Sequence, residues 1–162
     1  MGIIGMITTQ MFILNVKSQS KSELGKEVKQ NGDYALAVIE SMLRAAVDIV
    51  GSTTCNQPSA KTLTILNPDG LNTTFDCSSS QMASISSGFP DGSPDVSLPL
   101  TSSKVIVSNC NLRLVCPTPP INPKYVFVSF KLSQSIGGQT TPLPDSYSSI
   151  DFQSTVSLRG FE

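Results

Sequence analysis

The chain has no histidine and no tryptophan, and it carries little charge of either sign. Without His there is no Ser–His or Cys–His nucleophile pair, no imidazole general base and no His-ligated metal. Charged residues make up 14% of the 162 residues, against roughly 25% in an ordinary soluble domain. Eleven Lys and Arg face twelve Asp and Glu, for a net charge of -1. That leaves no basic excess to neutralise phosphates, so nucleic acid is not an expected partner. No Cys-x-x-Cys occurs, and no zinc site is expected. These absences argue against an enzyme and against a cofactor. Long apolar runs are also missing. The greasiest stretch, residues 1–14, would extend ~21 Å as a helix, short of the ~30 Å hydrocarbon core. It has neither the basic start nor the small-residue cleavage site of a secretory signal.

What the chain does have is hydroxyls and an even cysteine count. Ser and Thr together number 38. Cys55, Cys77, Cys110 and Cys116 in so uncharged a chain suggest disulfides and an oxidising compartment. Four cysteines allow three connectivities. The favoured one joins Cys55 to Cys77, whose intervening segment reads as a hairpin, and Cys110 to Cys116 across a short loop.

Residues 34–50, YALAVIESMLRAAVDIV, give the clearest helical pattern. At 100° per residue Asp33, Ala37, Glu40, Ser41, Arg44 and Asp48 share one strip, and the opposite apolar face is on the order of 200° wide. Glu40 and Arg44 stand in the favourable i, i+4 order. Upstream, residues 15–33 are polar nearly all round. The stripe Leu24, Val28, Ala35, Ile39, Met42, Ala46, Ile49 nevertheless runs through them, predicting one helix from about Ile3 to Ile49, ~70 Å long. Its first half would project from a small domain. Domain organisation is then a projecting helix half, 1–33, and a head, 34–162.

After Cys55 the period changes to two. Strands around 62–66 and 73–77 flank Asn67-Pro68-Asp69-Gly70, the preferred residues of a type I turn. Residues 78–95 read as a polar loop. Val96, Leu98 and Leu100 alternate. Strands follow at 104–108, at 125–132 with Val126, Val128, Phe130 and Leu132 on one face, and at 150–158 with Ile150, Phe152, Val156 and Leu158 inward.

These segments resemble the type IV pilin and type II secretion pseudopilin superfamily. Ala35-Leu-Ala-Val-Ile-Glu-Ser-Met-Leu-Arg-Ala-Ala is similar to the helix after the membrane segment in minor pilins of the J/W type. Phe152-Gln-Ser-Thr-Val-Ser-Leu-Arg-Gly resembles their closing strand, and Ile3-Ile-Gly-Met-Ile-Thr-Thr the later half of a pilin membrane helix. The family's Gly-Phe-Thr-Leu-x-Glu-like processing start has no counterpart here, since no Glu precedes Glu23. The resemblance implies a missing prepilin segment of ~15–20 residues upstream of Met1, enough to restore a full span.

It also implies an α+β fold, a long N-terminal helix packed on an antiparallel sheet. The implied function is a structural subunit of an extracellular type IV pilus or pseudopilus, held in the membrane before assembly and displayed at the cell surface after it. Implied partners are other pilin or pseudopilin subunits, the inner-membrane assembly machinery, and the membrane through the N-terminal helix. Ile3, Ile4, Met6, Ile7, Phe12, Ile13, Leu14, Leu24 and Val28 would form the assembling surface. The alternative is a secreted, disulfide-bonded β-rich binding or adhesin module.

Other candidate sites read more simply as structure. Asp91 and Asp95 could offer oxygen ligands to calcium, but Asp with Gly and Pro is turn chemistry. Asp76, Asp145 and Asp151 share no convergent motif. Asn72-Thr73-Thr74 matches a glycosylation sequon. Lys17, Lys21, Lys26 and Lys29 are interleaved with Glu23 and Glu27, as on a solvated helix. Tyr34 and Tyr125 are expected in the core.

Overall fold

The computed structural model describes residues 2–50, 55–88, 94–117, 123–135 and 148–158. Along its first helix, side chains are described from Ser22 onward, Leu24 excepted. Helix α1 runs Gly2–Ala45. Eight strands follow: β1 (Asp48–Val50), β2 (Thr62–Leu66), β3 (Asn72–Asp76), β4 (Ala83–Ser86), β5 (Val96–Pro99), β6 (Val105–Val115), β7 (Tyr125–Gln134) and β8 (Ser149–Ser157).

The expected α+β arrangement of one long helix on one antiparallel sheet is overturned. The strands form two separate antiparallel sheets, β1-β2-β3-β4-β5 and β6-β7-β8, and the described head is mostly β. Two strands escaped the sequence reading. β4 lies within the polar stretch 78–95, where Ser84 and Ser86 replace an apolar alternation. The apolar stripe of residues 34–50 carries β1 into the helix. That helix ends at Ala45 instead, where the amide of Ala46 makes the last helical bond, to Met42 O at 2.9 Å. The amide of Val47 already bonds Leu66 O at 2.8 Å. Ile49 and Val50 are β-branched, and pairing with β2 outweighs continuing the helix.

The β2–β3 hairpin forms around the anticipated turn. Gly70 N donates to Asn67 O at 3.0 Å and Asn67 N to Leu71 O at 2.9 Å. Gly70 takes φ +83°, the left-handed position that closes a type I turn onto a hairpin.

The core seam of the helix is Val28, Gly32, Ala35, Ile39, Leu43 and Ala46, stepping by three or four. It packs on β7 and β8. Val126, Val128, Phe130 and Leu132 face it as read from the alternation, and all are buried. Phe130 and Phe152 stack with centroids 5.4 Å apart. The helix comes so close to β8 at Gly32 that a Cβ there would lie 2.0 Å from Phe152 Cζ. The seam is much narrower than 200°. Leu36, Val38 and Met42 are only half-covered, and Ala37, Ser41 and Ala45 are exposed.

Candidate functional site

The disulfides join Cys55 to Cys116 and Cys77 to Cys110. The favoured local pairing is therefore corrected. Each bond ties a segment flanking the first sheet to β6 or its end in the second. The segments carrying Cys55 and Cys77 both lie along β6, and their partners sit in that strand and at its end.

The backbone explains why. The outer edge of β6 receives the connections of the first sheet: Val107 N donates to Ser80 O at 2.8 Å and Leu112 N to Ala60 O at 2.7 Å. Asn56 N donates to Leu114 O at 2.9 Å. The Asn56 side chain holds both backbone groups of Cys116, accepting from its amide at 3.1 Å and donating to its carbonyl at 3.1 Å. Asn56 and Asn109 occupy left-handed φ values of 62° and 48°, which Asn tolerates best after Gly. Asn109 sits in the β6 irregularity and turns Cys110 toward Cys77.

Among the proposed assembly residues, Val28 is buried in the core of its own head at 1% exposure. The side chains of Ile3, Ile4, Met6, Ile7, Phe12, Ile13, Leu14 and Leu24 lie outside those described. Ser22 and Glu23 are exposed. Among the described side chains, contact with the head is seen from Gly25, where a Cβ would meet Ser148 Oγ at 3.5 Å. It continues through Glu27, ion-paired to Lys104 at 3.2 Å, and Asn31, whose Oδ1 accepts from Ser102 N at 2.8 Å. The docked stretch 25–46 is ~33 Å long, comparable to the ten or so residues of β7 or β8 at ~3.4 Å each. Gly2–Leu24 carry the same helix on by a further ~34 Å.

Glu40 bridges Arg44 at 3.4 Å, as its spacing suggested, and also accepts a short hydrogen bond from Ser154 Oγ on β8. Tyr34, expected in the core, is 59% exposed. With Ala37, Ser41 and Ala45 it forms an uncovered, uncharged flank of the helix, and half-buried Val38 borders it. Val96 and Leu98 are also exposed, at 53% and 58%. Their register places them on the face of Phe75 and Leu63, but β5 is the outermost strand and the core stops short of it.

Asp95 is exposed, while Asp91 and Asp145 fall outside the described residues. Among the described residues no group of three or more His, Cys, Asp or Glu is placed to hold a metal ion. Asp76 accepts from Ser78 N at 2.7 Å as a turn former. Asp151, on the other sheet, reaches Lys131 at 3.9 Å. These two carboxylates do not converge. In the sequon, Thr73 is buried and bonded to Asn67 Nδ2 at 2.9 Å, and the Asn72 carbonyl accepts from Ser87 N at 2.9 Å. Lys29 pairs with Asp33 at 3.2 Å.

One cluster was not anticipated. On the outward face of the second sheet Arg113 lies over the ring of Phe127, 5.4 Å from its centroid. The sequence hid it because the irregularity at Asn109 and Cys110 reverses the in–out parity of β6. Continuing the alternation of Val105 and Val107 through the strand would have pointed Arg113 inward. No protein-family model, curated protein or solved structure matches the chain.

Proposed function

We propose that this chain is a structural subunit of an extracellular filament of the type IV pilus or pseudopilus kind, assembling through its N-terminal helix. The observation that carries the reading is the length of α1. Forty-four residues form one helix, and among the described side chains those packed on the head run from Gly25 onward. A further ~34 Å of the same helix precedes that stretch with an apolar tip sequence, and neighbouring helices would satisfy it by close packing. The uncharged flank of Tyr34, Ala37, Ser41 and Ala45 extends that surface along the head.

Among the described residues no helix is long and apolar enough to cross a membrane. Membrane anchoring before assembly, the cell-surface location and the inner-membrane machinery are therefore part of the proposal. The two disulfides support an oxidising, extracellular setting. They equally favour the second reading, a secreted β-rich binding module.

The two readings separate on assembly. Full-length chain and a chain beginning at Gly25 are compared by light scattering and negative-stain microscopy, each in detergent and after its removal. The filament reading expects ordered assemblies from the full chain alone. Monomers from both chains at high concentration would overturn it in favour of the binding module.

A further inference from the structure

On the outward face of the second sheet, Arg113 has no acidic partner among the described residues. Arg113, Phe127 and Thr155 form one cross-strand row over β6, β7 and β8. Tyr125 lies in the row on one side, and Ser129 with Gln153 in the row on the other. Phe127, Tyr125 and Arg113 are half-buried, while Gln153 and Thr155 are exposed. Further along the same face Lys131 is matched by Asp151. Arg113 has no such match among the described residues. Its Nε is shielded from water and has no hydrogen-bond partner among the described residues. The guanidinium is held by the Phe127 ring instead.

We propose that this face binds an acidic polysaccharide, a chain of uronic acid residues. A stacked guanidinium is pre-organised to take a carboxylate by two parallel N–H bonds. The aromatic rings of Phe127 and Tyr125 offer apolar surface to the C–H face of a sugar ring. Ser129, Gln153 and Thr155 supply hydroxyl and amide partners for its hydroxyls. Val115, beside Tyr125, is the one aliphatic side chain in the three rows around Arg113, which otherwise carry hydroxyls, amides and aromatics; that lining suits a hydroxylated sugar better than the aliphatic side chains of a peptide. The site belongs to the head and does not depend on how the helix assembles.

The test is titration of the full chain with polygalacturonate, with dextran as the neutral polymer and poly-glutamate as the acidic non-sugar. Saturable binding to polygalacturonate is expected, weakening as salt is raised, with neither control binding. Arg113→Gln should weaken it at least tenfold, and Arg113→Lys should recover only part of the loss, because lysine keeps the charge without the fork. Thr155→Asp changes an exposed side chain and leaves the stack intact, so it should abolish binding in a folded protein even if the Arg113 variants misfold. No binding to polygalacturonate would overturn the proposal. So would equal binding to dextran or poly-glutamate, or unchanged affinity in Arg113→Gln and Thr155→Asp.

Discussion

Gly32 shows how a single hydrogen can decide whether two elements meet. An alanine there would favour the helix by ~1 kcal/mol through propensity. Its Cβ, however, would sit 2.0 to 2.5 Å from three carbons of the Phe152 ring. That ring is stacked on buried Phe130 and has nowhere to retreat. Overpacking at ~1–3 kcal/mol outweighs that gain, so Gly32→Ala should lose up to ~2 kcal/mol net, read as a lower urea midpoint. Glu40 poses a subtler case, since it serves both Ser154 and Arg44. Ser154→Ala removes the inward partner and leaves the exposed one, and chemical denaturation should register a loss of ~1 kcal/mol.

Strand β5 separates pattern from burial. Val96, Leu98 and Leu100 alternate alike in sequence, yet Leu100 is 5% exposed while Leu98 is 58% exposed. Leu100 turns under the sheet edge, its amide bonded to Met82 O at 2.8 Å. Leu100→Ala should cost ~2–4 kcal/mol, while Leu98→Ser should stay within ~0.5 kcal/mol. Equal effects in thermal melts would contradict the edge position of β5. The helix teaches the same lesson at its C-terminal end. Its apolar stripe continues to Ile49, but the stripe cannot tell a helix from a strand once a partner such as β2 is at hand.

For the whole molecule the disulfides are the principal fasteners, because they link the sheets rather than close local loops. Their sequence separations of 61 and 33 residues each correspond to ~4 kcal/mol in the chain-entropy picture. Loss of either pair as a double Cys→Ala variant should cost ~2–4 kcal/mol, with Cys77–Cys110 the worse because Cys77 is buried. Cys55 is exposed. Graded reduction followed by alkylation and mass spectrometry should therefore release Cys55 and Cys116 before Cys77 and Cys110.

The sequence by itself determined that residues 35–45 are helical, the hairpin turn at Asn67–Gly70, the inward faces of β7 and β8, and the presence of two disulfides. Each rests on short-range periodicity, turn chemistry or cysteine count, and these act within a few residues of chain. Tertiary structure alone decided that the strands split into two sheets and that the cysteines pair across them. It also decided that Val28 belongs to the head and that Arg113 faces outward. Those outcomes depend on which distant backbone edges meet and on an irregularity in β6 that reverses parity, and no local pattern carries such information.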